Sequence, residues 1–149
     1  MSLRSRLGAK VSELSARLRS RSVVEYSLTE PIVSITFDDF PRSALVRGGP
    51  LLAQEQVAAT FYAAFGLADS DTPVGSVGSR AELAACVAAG HELGCHTHDH
   101  LDCGASPLTA IAESLDRNQA AAAALGLPAL RHFAYPFGRY SLGAKRTVM

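Results

Sequence analysis

The sequence predicts an α/β fold built as parallel βα units, and three observations carry that reading. Strand-like and helix-like stretches alternate along the chain, the pattern of strands joined by crossover helices. The best strand, Ile32 to Phe37, runs straight into two adjacent carboxylates, Asp38 and Asp39. Ligands of parallel sheets gather beyond the carboxyl ends of strands. A second short apolar run, Leu93-Gly94-Cys95, opens in the same way into His96-Thr97-His98-Asp99-His100.

At 149 residues the chain fits one domain. It is short for a closed eight-stranded barrel, which takes about 200 residues or more. Apolar residues make up 48% and charged residues 19%, the composition of an ordinary globular chain. Formal net charge is zero, so nothing in the balance argues for a nucleic-acid partner. No apolar run approaches the roughly 20 residues of a membrane span. No secretory signal is visible either, which makes a cytoplasmic location the default expectation.

Leu3, Leu7, Val11, Leu14 and Leu18 recur at helical spacing among arginines and serines. We therefore set residues 1–24 apart as a basic amphipathic N-terminal helix and expect its stripe to dock on the domain. A membrane-surface or partner-binding helix and an Arg/Ser-rich targeting segment are the other readings. Residues 25–149 form the domain proper. Its first strand, Ile32 to Phe37, is β-branched and aromatic, bounded by Pro31 and the two aspartates. Pro41, Gly48, Gly49 and Pro50 then punctuate a loop with short helical segments, and Leu51 to Ala53 lead to Gln56. Ala59 to Phe65 reads as a second strand, and residues 68–79 as a long exposed loop.

Ser79 and Glu82 form a capping box, so Leu83 to Ala89 is helical and Gly90 stops it. His91 to Cys95 is the third strand. Pro107 after Ser106 opens a helix that runs to Leu125, with Gly126 at its end. Arg131 to Tyr135 is a fourth strand, closed by Pro136-Phe137-Gly138, and Leu142 to Val148 begins another helix. Cys86, Cys95 and Cys103 contain no CxxC pair and are odd in number, so they are expected to be reduced, with Cys86 and Cys95 buried. A structural zinc site of Cys95, Cys103 and a histidine would be an alternative use.

Imidazole is the commonest zinc ligand. On a helix His96 and His100 share a face; in an extended chain His96, His98 and His100 project together. If the sheet is parallel, Asp38-Asp39, the histidines and the Tyr135-Pro136-Phe137 turn meet on one rim. A carboxylate and two imidazoles then surround one divalent ion with positions left open, and the neighbouring carboxylate is free to act as base toward a water polarised by the ion. Two bland readings stand beside this: a histidine-rich polar loop, and a pair of turn carboxylates capping the next segment.

Thr36-Phe37-Asp38-Asp39, His96-Thr97-x-x-His100 and Phe133-Ala134-Tyr135-Pro136-Phe137-Gly138, in that order, resemble the first three motifs of the polysaccharide deacetylases, the NodB-homology domain of carbohydrate esterase family 4. The resemblance runs from about Pro31 to Gly138. It implies a partial or distorted (β/α) barrel and removal of acetyl from N-acetylated carbohydrates with one divalent metal, zinc first, with cobalt or another divalent ion as alternatives. By the same resemblance Asp38 is the base, and Asp39, His96 and His100 are the metal ligands. Thr97 supports the loop, and Tyr135, Pro136, Phe137 and Gly138 wall the groove and offer an N–H to the oxyanion. The resemblance also implies a place at the cell envelope.

Three departures stand out. Phe40 replaces the usual glycine, which is expected to put a bulky group at the rim. Ala134 stands where many members carry arginine, and Arg131 would point to the opposite face. No histidine follows His132 and no acid follows Asp116, so the motif holding the general acid is missing. The expectation is a C-terminally incomplete domain or a degenerate member, with open sheet edges or the N-terminal helix as places of association. A non-catalytic carbohydrate- or metal-binding remnant is the main rival. A metallo-β-lactamase-like hydrolase, suggested by His96-x-His98-Asp99-His100, leaves Asp38-Asp39 unexplained.

Overall fold

A computed structural model describes residues 27–73 and 75–149, with Val11, Leu14, Leu18 and Glu25. The strands are β1 (Thr36–Phe37), β2 (Thr60–Ala63), β3 (Asp71–Thr72), β4 (Gly75–Ser76) and β5 (Glu92–Cys95). The helices are α1 (Gly49–Gln54), α2 (Arg80–Ala88), α3 (Leu108–Ala124) and α4 (Leu142–Val148). A π-helical turn, Ala44–Gly48, leads into α1, and two 3-10 turns occupy Phe65–Leu67 and Pro136–Gly138. β1, β2 and β5 make a parallel sheet with β2 in the middle. The expected α/β class with parallel βα units is therefore found.

Strand residues alternate between faces, and the register sorts them. Phe37 stands opposite Phe61, and Phe61 opposite Leu93, on the face that helices cover. Phe61 is fully buried, its ring stacked on Phe37 at 4.8 Å and meeting Phe40 edge-on at 5.7 Å. Leu52 of α1, Leu83 and Cys86 of α2 and Ala122 of α3 close this core. Burying one such aromatic ring contributes about 1.5–3 kcal/mol. A second cluster of Cys103, Ile111 and Ala144, with Phe133 and Tyr135 against it, fastens α4 to α3.

The capping box forms as expected: Glu82 N–H donates to Ser79 Oγ at 3.1 Å, and Ser79 N–H donates to Glu82 Oε2 at 2.8 Å. Gly90, at φ 88°, ends the helix as only a residue without Cβ does easily. Other expectations need correction. The first strand shrinks to Thr36–Phe37: β2 begins only at Thr60, whose N–H reaches back to Ile35 O at 3.0 Å, and Ile32 and Val33 before it are 73% and 85% exposed. The loop at 68–79 carries a small antiparallel hairpin of β3 and β4. α3 begins at Leu108 with Pro107 as its N-cap, one residue later than expected, and ends at Ala124.

The fourth strand reduces to one parallel bridge between Cys95 and Phe133. Cys95 N–H donates to His132 O at 2.7 Å and Ala134 N–H to Cys95 O at 3.1 Å. Beyond this, β5 turns away through Thr97, at φ 56°, and Pro136 has no N–H to continue a ladder. Of the N-terminal helix, Val11, Leu14 and Leu18 are helical and 62%, 58% and 77% exposed. The rest of that helix lies outside the described residues. Among the described residues, no helix is long and apolar enough to cross a membrane.

Candidate metal centre

The site lies where β1 and β5 end. The chain leaves β1 through Asp39 at φ 64° and Phe40 at φ 50°, a left-handed turn that brings Asp39 back over the strand ends. Phe40 does not stand at the rim as expected. It is 1% exposed, and its ring fills space that Gly78 leaves open, where an added Cβ would lie 2.2 Å from Phe40 Cε1. Gly78 N–H also donates to Phe40 O at 2.9 Å. The core holds a phenylalanine in a conformation that glycine adopts at no cost.

From the end of β5, His96 N–H donates to Ala63 O at 3.1 Å. The loop is neither helical nor extended, because Thr97 and His100 both take positive φ, 56° and 53°. That path brings His96 and His100 together, ring centroids 5.0 Å apart, and leaves His98 out. Asp39 Oδ1 lies 2.9 Å from His100 Nε2 and 3.3 Å from His96 Nε2. One ligand atom from each of the three residues falls within 4.8 Å of the others. Asp39 Oδ1 is buried, and despite these short distances it makes no hydrogen bond of acceptable geometry.

His96 Nδ1 lies 2.9 Å from Ala134 O. A carbonyl can only accept, so Nδ1 carries the proton and the Nε2 lone pair faces Asp39. Burial, above all, holds the His96 pKa below its ordinary 6.5, against the Ala134 hydrogen bond and the charge of Asp38, which raise it. A neutral imidazole is the form that binds metal. A buried carboxylate oxygen without a donor, facing two imidazole nitrogens of which that of His96 presents its lone pair, fits a cation. Asp38 is exposed at the end of β1, and its charge is felt at both His96 and Tyr62.

The turn after the bridge completes the rim. Pro136 is buried, Phe137 sits at φ 59° and is 64% exposed, and its ring meets His100 edge-on at 4.4 Å. Tyr135 packs on Phe133 at 4.8 Å and on Tyr140 at 5.0 Å, and Gly138 N–H is spent on Tyr135 O at 2.9 Å. Thr97 is fully buried and its Oγ1 accepts the Leu101 N–H at 2.8 Å. Asp39, Phe40, Thr97, His100 and Phe137 are five of the seven non-glycine residues with positive φ among those described; the others are Gln56 and Asp69. Such backbone strain persists only where the surroundings enforce it, and it gathers at functional sites.

The remaining histidines are engaged elsewhere. His98 Nδ1 pairs with Asp99 at 3.0 Å. His132 pairs with Glu92, the first residue of β5, at 3.1 Å, at the opposite end of the strand from the site. His91 Nδ1 accepts the Ala59 N–H at 3.3 Å. All three cysteines are free and buried, and Asp39, His96 and His100 are the one metal-capable group among the described residues. The Cys95/Cys103 zinc alternative is therefore set aside.

Sequence reasoning missed the supports. Asn118 Oδ1 accepts the Phe65 N–H at 2.9 Å and Nδ2 donates to Ala63 O at 2.9 Å, while Ser114 Oγ accepts the His98 N–H at 2.9 Å. Both residues are fully buried. The available signal was their place on the buried face of α3, in register with Ile111 and Ala122, since a buried polar side chain must have a partner.

A parallel α/β sheet with an Asp-His-His group beyond its strand ends defines a class: α/β domains able to hold a divalent ion. The family model for polysaccharide deacetylase matches residues 25–148, and the chain belongs to that family. Among solved structures, IcaB from Ammonifex degensii superposes with a TM-score of 0.74 at 25% identity, covering 83% of this chain and 57% of that one. The family 4 carbohydrate esterase from Streptomyces lividans, in complex with acetate, gives a TM-score of 0.65 at 22% identity, covering 78% and 56%. BA3943 from Bacillus anthracis, described as a CE4 family pseudoenzyme, gives 0.64 at 19% identity, covering 80% and 40%. The chain thus spans little more than half the length of the first two. Comparison with the curated proteins finds no match.

Proposed function

We propose that this domain removes acetyl groups from N-acetylated sugars or polysaccharides, on a partial (β/α) barrel, with one divalent ion held by Asp39, His96 and His100. The observation that carries the reading is Asp39 Oδ1, buried, without a hydrogen bond, and 2.9 and 3.3 Å from two imidazole nitrogens. A carboxylate with two imidazoles suits zinc, and also cobalt or another divalent ion. When bound, such an ion supplies Lewis acidity toward the acetyl carbonyl.

The chain's own groups supply the rest. Asp38, exposed beside His96, takes the proton of the attacking water. Pro136 has no N–H and Gly138 N–H is committed to Tyr135 O, so the donors this turn offers to the oxyanion are the Tyr135 and Phe137 N–H groups. Thr97 keeps His96 and His100 in place by anchoring the loop at Leu101. Phe137, exposed beside His100, forms a wall against which a sugar ring can rest.

A metal-holding but catalytically silent domain is the second reading. The observation favouring it is that His98 and His132 are paired with Asp99 and Glu92, so neither is poised to protonate the leaving amine. Acetate release from an acetylated chito-oligosaccharide separates the two. Release that disappears in Asp38→Asn and in metal-stripped protein supports the deacetylase. Stoichiometric metal without release supports the silent domain. Metal uptake should fall strongly in His96→Ala and Asp39→Ala and persist in His98→Ala; equal loss in all three would sink the ligand assignment.

A further inference from the structure

The residues between the two histidine ligands are held by a clamp that the proposed chemistry does not use. Asp99 Oδ2 accepts from Ser114 Oγ at 2.9 Å and from Arg117, whose second nitrogen reaches Oδ1 at 3.2 Å. Ser114 Oγ in turn accepts the His98 N–H at 2.9 Å and the Asp99 N–H at 3.3 Å. One turn along the same helix, Asn118 holds Ala63 O, the carbonyl that also receives the His96 N–H. Both flanks of the loop are thus registered to α3. Thr97, between these anchors, and His100, directly after them, keep left-handed backbones that neither residue favours when unconstrained.

We infer that Asp99, clamped by Ser114 and Arg117, is a positioning residue: it sets where His100 stands against Asp39 and His96, and so the site's affinity for a divalent ion. This rests on the metal reading above. The Arg117 and Asp99 side chains are 55% and 35% exposed, and ion pairs so open to solvent contribute little to global stability. What the clamp constrains is the path of the two residues, His98 and Asp99, between the two ligands. Loss of a contact that orients metal ligands typically costs 10–100-fold in metal affinity.

The test is Zn2+ affinity by competition with a chromophoric chelator, and the visible spectrum of the Co2+-loaded chain, for wild type, Asp99→Ala and Arg117→Ala. Expected are Kd values about 10–100-fold weaker, shifted Co2+ bands and a nearly unchanged melting temperature. Asp99→Asn, which keeps one accepting oxygen, should fall between. Wild-type affinity and spectrum in both folded variants overturn the inference. So does weakened binding that follows a loss of folded protein with the Co2+ spectrum unchanged, since that marks a merely structural role. If Asp99→Ala does not fold, Arg117→Ala decides. A wild-type chain that takes up no ion overturns the metal reading itself, and the clamp with it.

Discussion

Replacing Asn118 by leucine tests how the fold holds the site. Asn118 is fully buried and makes three contacts: its Oδ1 accepts the Phe65 N–H at 2.9 Å, and its Nδ2 donates to Ala63 O at 2.9 Å and to Cys95 Sγ at 3.2 Å. With leucine, Ala63 O still receives the His96 N–H at 3.1 Å and stays satisfied. Phe65, 1% exposed, is left with a buried N–H and no acceptor. An orphaned buried donor costs about 1–3 kcal/mol, and each further hydrogen bond lost about 0.5–1.5 kcal/mol. The sum is about 2–6 kcal/mol, a large share of the roughly 5–15 kcal/mol that holds a domain together. In a domain of this size it lowers Tm by roughly 5–25 °C. Urea denaturation followed by circular dichroism reads the change directly. A loss below about 0.5 kcal/mol with an unchanged m-value would refute the reasoning, because it would mean that Phe65 N–H finds another partner.

Three further outcomes follow from particular contacts. Gly94→Ala places a Cβ 2.4 Å from the Tyr62 ring, an overpacking that costs about 1–3 kcal/mol; the double variant with Tyr62→Val should recover most of it, and strict additivity in the melting curves would show that the clash is not the cause. Burial pushes the Cys86 thiol up to about 12, and burial, with smaller help from Asp102 and Cys95, pushes Cys103 up to about 11. Both should resist iodoacetamide at pH 8 in the native chain and react once it is unfolded, and rapid native labelling found by mass spectrometry would contradict their burial. Because burial depresses the folded pKa of His96, the unfolded chain takes up the proton first as pH falls. Stability of the metal-free chain should therefore be full above about 6.5, decline below it and level off beneath the folded pKa. Urea midpoints between pH 8 and 5 that do not move would argue against a buried neutral His96.

Some of this protein could be read from neighbouring letters alone. The alternation that gives parallel βα units, the Ser79 and Glu82 capping box and the Gly90 stop depend on contacts within a few residues, and all of them form. The convergence of Asp39 with His96 and His100 was legible for a related reason: in a parallel sheet, strand ends share a rim, so two short motifs suffice to place three side chains together. Only the tertiary structure decided what surrounds them. Phe40 lies in the core and not at the rim because Gly78, 38 residues later, leaves room for its ring. The fourth strand survives as a single bridge because the histidine loop bends β5 away from it. Ser114 and Asn118 act across separations of 16 and 53 residues. A buried polar group finds its partner only after the chain has packed, and no local pattern in the sequence says which partner that will be.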